Sequence, residues 1–327
     1  MNEGQRFHRV WIERAIGGAG LRTLERLVRL LAREQKLQRS PGWYFGIPDT
    51  RHDLGTFARE LIWSRYSDNH DDRPIEVGWC RRLKLNLRLG NDLSWCVFVG
   101  GMYEPNELAF FATVLEHGMT VVDVGANDGL YSLVAASRVG EHGRVLAVEP
   151  SSREFGRLQA NIGLNQLGNV EAIRLALYSC AGDTQLTRAE FGHEGQNTIG
   201  NVIVNPKVSA AGSEVVELQT LDGFVVDQAI DRLDVLKIDA EGSEAHVLKG
   251  GLEALRRLTP IILMEVAASH LAVHGSTTEE LLGLLAEIGY RVWVFGDDGS
   301  LVPLSRDGEL SPNIVAAPNG WQPPPVP

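Results

Sequence analysis

Cysteine is scarce in this chain: Cys80, Cys96 and Cys180 are the three among 327 residues. They form no Cys-x-x-Cys pair and carry no metal-ligand spacing, so neither a disulfide scaffold nor a zinc site is expected. Reduced thiols predict a cytoplasmic protein. The N-terminus lacks the apolar core of a secretory leader, and no uninterrupted apolar run approaches the roughly 18 residues that span a bilayer. Positive charge is also short. Lys and Arg number 31 against 42 Asp and Glu, a net charge of −11, which argues against general nucleic-acid binding.

What is present suits a globular chain with a large core. Hydrophobic residues make up 44% and charged residues 22%, so one large domain with an extension, or two small domains, is expected. The charge is uneven. Residues 1–40 hold nine Lys or Arg against four acids, net +5, leaving −16 for the remainder.

The stretch Met119 to Gly129 organises the rest. Met119 to Asp123 reads as a buried strand, Gly125 and Gly129 frame a turn, and Leu130 to Val139 continues with helical spacing. Strand, glycine turn and helix together make a nucleotide-type site, and Gly125 allows a backbone to approach a ligand. The spacing is Gly-x-x-x-Gly, not the dinucleotide Gly-x-Gly-x-x-Gly, which disfavours an NAD dehydrogenase. Asp123 and Asp128 would repel a pyrophosphate. They would attract an ammonium and a sulfonium, and S-adenosylmethionine carries both. Glu149 follows 20 residues after Gly129 at the end of the strand Gly143 to Val148. A doubly wound fold places there the acid that accepts from ribose hydroxyls.

Along the chain, Leu21 to Lys36 predicts a helix with Leu24, Leu27, Val28 and Leu31 on one face and Arg22, Arg26, Arg29 and Arg33 toward the other. Packing on its own domain, a second subunit, or a peripheral membrane or partner contact through residues 1–40 would each use that pattern. Arg59 to Arg65 predicts a second helix. Arg82 to Leu89 and Trp95 to Val99 predict a hairpin turning at Gly90-Asn91-Asp92. Residues 41–100 are then a substrate, lid or dimerisation region, and 101–318 the main domain. Strands are expected at Val170–Ala176, Thr184–Arg188, Val215–Thr220, Asp234–Asp239, Pro260–Glu265, Tyr290–Phe295 and Asn313–Ala316. Helices are expected from Ser151 to Asn165 and over Glu279–Ile288. The long unpatterned stretch Phe191–Val208 predicts a functional loop. Residues 319–327 predict a disordered proline-rich tail. Strands alternating with helices give an α/β sheet, mainly parallel, with helices on both faces. Asp123, Glu149, Asp239 and Glu265 all fall near strand carboxyl ends and should converge on one crevice. Lys237 shares a strand face with Asp239 and is expected to pair with an acid such as Glu265. Asp128 is expected to face the turn or solvent.

Several pieces together resemble the FkbM family of S-adenosylmethionine-dependent methyltransferases. They are Tyr103-Glu104-Pro105, Val122 through Gly129 with Tyr131-Ser132, Gly143-Arg144-Val145 through Glu149-Pro150, Asn161 and Asn165, Asp234 through Gly242 with Glu244 and Val247-Leu248-Lys249-Gly250, and Pro260 to Glu265. The likeness covers about residues 100–317; Ala240 and Asp128 depart from the usual pattern. It implies a Rossmann-like, seven-stranded class I methyltransferase sheet, here with an N-terminal helical and hairpin extension. It implies O-methylation of a sugar, glycan or natural-product hydroxyl. Asp123, Gly125, Asn127 and Gly129 would cradle the methionine part, Glu149 with Pro150 the ribose, and Tyr103, Glu104 and Asn165 would complete the cofactor set. Asp239, Glu241 and Glu265 would face the transferred methyl. A hydroxyl acceptor needs a base, for which Asp239, Glu241, Glu265 and His193 are candidates. Mg²⁺ held by Asp239 and Glu265 ranks lower for want of a third protein ligand, so no metal is expected. A non-catalytic adenosyl-binding scaffold is the rival reading.

Overall fold

The structure is a computed structural model and describes residues 3–41, 53–200, 203, 205, 207–305 and 308–327. Part of the expected substrate region (42–52) and part of the expected loop lie outside the described residues. The chain begins with helices α1 (Glu3–Gly17), α2 (Leu21–Leu31) and α3 (Leu54–Asp68), then strands β1 (Ile75–Gly78) and β2 (Lys84–Leu87). A short helix α4 (Asp92–Ser94) runs into a π-helical turn, Trp95–Gly100, followed by α5 (Pro105–Val114). The nucleotide-type half is β3 (Thr120–Val124), α6 (Leu130–Val139), β4 (Arg144–Val148), α7 (Ser152–Leu164) and β5 (Val170–Ile173). An insertion holds β6 (Ala176–Leu177), β7 (Gly182–Ala189), a 3₁₀ turn Glu194–Gln196, β8 (Thr198–Ile199) and β9 (Ala210–Gln219). The remainder is α8 (Leu221–Asp227), β10 (Val235–Ile238), α9 (Glu244–Lys249), α10 (Leu252–Leu258), β11 (Ile261–Glu265), α11 (Ala268–Val273), α12 (Thr278–Glu287), β12 (Tyr290–Phe295), β13 (Leu301–Pro303) and β14 (Asn313–Pro318).

The main sheet has strand order β13-β12-β14-β11-β10-β3-β4-β5. Strands from β11 to β5 pair in parallel, and β14, β12 and β13 add antiparallel. This is the expected seven-stranded sheet with one short edge strand, β13, beyond it. Period-two alternation divides the core between the sheet's two faces. Val121, Val145, Val235, Leu263 and Val315 belong to one buried cluster, and Val122, Leu146, Leu236 and Ile262 to another. Each fully buried Val, Leu or Ile contributes about 1.5–3 kcal/mol. Helices α8 to α10 and α12 cover the second face, while α5, α6 and the N-terminal helices cover the first. Leu24 and Val28 of α2 sit in the same buried cluster as Phe98 and Phe111, so the extension shares the main core. Arg22, Arg26 and Arg29 stay exposed. Among the described residues no helix is long and apolar enough to cross a membrane.

Four expectations change. The hairpin pairs β1 with β2, not 82–89 with 95–99. Asn91 and Ser94 form a reciprocal capping box that starts a helix at Asp92, and the apolar run Val97–Val99 is buried on a π-helical turn. A short apolar run does not distinguish strand from buried helix. The helix expected to reach Lys36 ends at Leu31, because Gln35 is buried and tied to Tyr103 in both directions, Nε2 to Tyr103 O at 2.7 Å and Tyr103 N to Oε1 at 3.0 Å. The expected loop around 191–208 contains a 3₁₀ turn and β8, paired to β7. The proline-rich tail is anchored. Trp321 packs edge-on against Phe110 and Trp293, at 6.3 and 5.0 Å between ring centres, and Arg39 N donates to Pro327 O at 2.7 Å.

Candidate active site

Strand order reverses between β3 and β10, and parallel strands present their carboxyl ends to a common crevice there. A cavity of about 570 Å³ lies at those ends, within the range of small-molecule sites. Asp123, Glu149, Asp239 and Glu265 all line it, as the strand positions predict. Tyr103, Glu104, Gly125, Asn127, Pro150 and Glu241 line it too. Gly129 lies beneath the turn, with its backbone against the Leu158 side chain.

The turn after β3 owes its shape to contacts on both sides. Gly125 has φ +76°, and a Cβ there would collide with the Asp239 carbonyl oxygen. The glycine is therefore required by the neighbouring strand end as well as by any ligand. Asn127 also adopts a left-handed conformation, φ 49°. Its N–H donates to Glu149 Oε2 at 2.9 Å, and Ser151 N donates to Oε1 at 2.9 Å. Burial, with Glu154 nearby, nevertheless pushes the Glu149 carboxyl up to about 8 against those two bonds. Asp123 accepts from Ser132 Oγ at 2.5 Å, and burial raises it to about 6.

The far end of the cavity is built around Lys237. Its side chain is 1% exposed, and Nζ donates to Asp239 Oδ2 at 3.1 Å. The expected pairing with Glu265 is thus replaced by one with Asp239, two residues along the same strand face. The ammonium also lies 4.8 Å from the centre of the Tyr131 ring. Tyr131 Oη donates to Glu104 Oε2 at 2.5 Å, and Asn313 Nδ2 approaches Glu104 Oε1 at 3.4 Å. Burial raises Glu104 despite Lys237. Glu265 is raised well above the carboxylate range by burial, then by the charges of Asp239, Glu241 and Glu244. Glu241 occupies a left-handed turn, φ 48°. Gly242 beside it leaves room for the His270 carbonyl, which brings α11 against the turn. His270 Nδ1 stands 3.4 Å from Glu241 Oε2 in an electrostatic contact without hydrogen-bond geometry.

Three expected residues take other roles. Asn165 caps the far end of α7, exchanging hydrogen bonds with Lys84 N and O at 2.8 Å each, and is not among the cavity residues. His193 pairs with Asp92 Oδ2 at 2.7 Å on the surface. Asp128 is 3% exposed rather than facing solvent, since Arg157 stands 4.0 Å from it in a buried group with Glu154 and Glu194. Burial moves the Asp128 carboxyl up to about 6, opposed by Arg157. Arg157, Asn313 and His270 were not singled out by the sequence. Each acts across elements distant in the chain, where local spacing gives no signal.

A glycine turn, an acid at the next strand end and an acidic far end thus share one crevice at the switch point of a doubly wound sheet. The Methyltransferase FkbM domain matches residues 123–292, and the chain belongs to that family. Methyltransferase sdnD of Sordaria araneosa is 30% identical over 154 residues, covering 40% of this chain and 59% of that protein. Hexuronic acid methyltransferase AglP of Haloferax volcanii is 29% identical over 141 residues, covering 43% and 53%. The chain therefore matches little more than half the length of these relatives. The crystal structure of Methyltransferase FkbM from Methylobacillus flagellatus is 15% identical, covers 80% of this chain and 54% of that one, and has a TM-score of 0.39.

Proposed function

We propose that the chain transfers a methyl group from S-adenosylmethionine to a hydroxyl oxygen of a sugar, glycan or natural-product acceptor. The observation that carries this reading is the charge of the crevice. Asp123 and Glu149 line its cofactor end, and Glu104, Asp239, Glu241 and Glu265 its far end. That surplus suits a ligand bearing a sulfonium and an ammonium. The family and the similarity to a hexuronic acid methyltransferase support the acceptor class.

The residues fit the cofactor. Asn127 N and Ser151 N hold both Glu149 oxygens in place, leaving each a lone pair for a ribose hydroxyl. Asp123, fixed by Ser132, and the 125–129 turn would hold the methionine part. When bound, S-adenosylmethionine supplies a methyl activated by its sulfonium. The chain's own contribution is orientation, worth up to about 7–11 kcal/mol, and a proton acceptor. Asp239 suits the second task. Lys237 fixes Oδ2, while Oδ1 has no hydrogen-bond donor among the described residues. Asp239→Asn should retain cofactor binding within a few-fold by calorimetry and lose about 10²–10⁴-fold in turnover. Turnover would be read with labelled S-adenosylmethionine and a panel of hydroxylated acceptors that includes uronic acids. Wild-type protein that fails to bind S-adenosylmethionine would overturn the reading, and full activity in Asp239→Asn would overturn the role of Asp239.

A further inference from the structure

At the acceptor end, the acids outnumber the cations even after the proposed cofactor is counted. S-adenosylmethionine carries two positive groups and one carboxylate. Glu104, Glu107, Asp239, Glu241 and Glu265 line this end of the cavity, and Lys237 is the one Lys or Arg there among the described residues. Lys237 is committed to Asp239. Glu265 has no hydrogen-bond donor among the described residues, although it sits half-buried in an acid-rich corner.

Three donors meet in that corner. One carboxylate oxygen of Glu241, one of Glu265 and a ring nitrogen of His270 all lie within 4.8 Å of one another. They come from three elements: the turn after β10, the end of β11, and α11. His270 Nδ1 is buried, makes no hydrogen bond and stands 3.4 Å from Glu241 Oε2, so it can ligate a cation that takes the place of its proton. A second observation points the same way. Asn313 is opposite Glu265 in the β11–β14 register, so both side chains project from one face of the sheet. Asn313 is 1% exposed and lines the cavity, and its Oδ1 is buried with no partner. A hard oxygen donor buried and unpaired on the sheet face it shares with Glu265 is expensive unless something positive pairs with it.

We propose that Glu241, Glu265 and His270 hold a divalent cation, with Asn313, opposite Glu265 in the sheet, as the neighbouring oxygen donor. One nitrogen among oxygen donors favours a first-row divalent ion over Mg²⁺, and Mn²⁺ is the paramagnetic probe for it. Donors to one ion at about 2.1–2.2 Å stand no more than about 4.4 Å apart, so closure requires only small side-chain rotations. The cation neutralises the surplus and leaves open positions facing the cavity, where the two oxygens of a vicinal diol or hydroxy acid can bind. This differs from an Asp239–Glu265 pair, because Asp239 belongs to Lys237. Its role rests on the methyl-transfer reading; its existence does not.

The test is a calorimetric titration of the full chain with MnCl₂, with and without S-adenosylmethionine, alongside Mn²⁺ electron paramagnetic resonance. Wild type should take up one equivalent. Glu265→Gln and His270→Gln should each weaken binding at least tenfold, whereas His193→Gln, on the surface beside Asp92, should leave it unchanged. Absence of Mn²⁺ uptake by the wild type at millimolar concentration overturns the proposal without reference to any variant. So does equal affinity in wild type and in folded Glu265→Gln and His270→Gln chains. Mn²⁺ uptake lost in those variants, by a chain that does not bind S-adenosylmethionine, upholds the site and removes the methyl-transfer reading instead.

Discussion

Replacing Lys237 by Met keeps most of the side-chain volume and removes the one ammonium buried among Asp239, Glu104 and Asp123. Removing one partner of a buried ion pair costs about 3–5 kcal/mol, because the other charge is left uncompensated. Asp239 is 26% exposed, so solvent screens part of the loss, and the lower end, about 3 kcal/mol, is expected at pH 8. The pH dependence has a definite sign. Lys237 is held above the ordinary lysine range by its acidic neighbours, against burial. Lys237 itself therefore stays charged across pH 5–8 and adds no pH dependence there, so any change in that window comes from its acidic neighbours. Glu104 and Asp123 are raised by burial even with Lys237 opposing the shift, and the variant removes that opposition. The folded state then binds more protons, so stability rises as pH falls. The difference from wild type should shrink from about 3 kcal/mol at pH 8 to below about 1 kcal/mol near pH 5. Urea unfolding followed by tryptophan fluorescence measures both. An equal loss at the two pH values would show that the cost is packing, and no loss at pH 8 would show that these acids need no cation; either refutes the reasoning.

Asp123→Ala and Glu149→Ala should each weaken S-adenosylmethionine binding by roughly 1–3 kcal/mol, the scale of a lost charged hydrogen-bond partner. Unchanged affinity by calorimetry in both folded variants would remove those residues from the cofactor site. Trp321→Ala should lower stability by about 2 kcal/mol, less than a fully buried tryptophan because the ring is partly exposed. An unchanged urea midpoint would show that the tail merely rests on Phe110 and Trp293.

Legibility from sequence followed the range of the interactions. The β3 turn, the β4 acid and the acid-ended strands were readable because strand, turn and helix succeed one another within a few residues. Asp123, Glu149, Asp239 and Glu265 converge because topology brings parallel carboxyl ends together. Lys237 was placed on the correct face by period-two alternation, but its partner was not, since Asp239 and Glu265 are both acids within reach of that face. Asp128 was misplaced because its burial depends on Arg157, a full helix away in the chain. Asn91 and Ser94 carried a capping signal, yet the apolar run after them reads equally well as strand. His270 and Asn313 gave no signal, since each meets Glu265 only through α11 packing or antiparallel register.

The two strand ends at the switch point explain why so much strain and buried charge is concentrated there. After β3 the chain turns through Gly125 and Asn127 with positive φ, and after β10 through Glu241 and Gly242 with positive φ. The turns interlock, as Gly125 packs directly on the Asp239 carbonyl. A left-handed non-glycine residue costs on the order of 1 kcal/mol or more, and Glu241 bears it because its surroundings over-determine it. Glu244 accepts from Ala240 N and Gly242 N at 3.0 and 3.1 Å, closing the turn around Glu241. Burial raises the Glu244 carboxyl to about 7 even so. Local stability is thus spent on holding Glu241 toward the cavity and His270. A helix starting directly after β10 would have satisfied the backbone more simply. It would also have taken Glu241 out of reach of Glu265. The strained turn keeps both acids on one corner of the cavity, where the proposed cation would offset that cost.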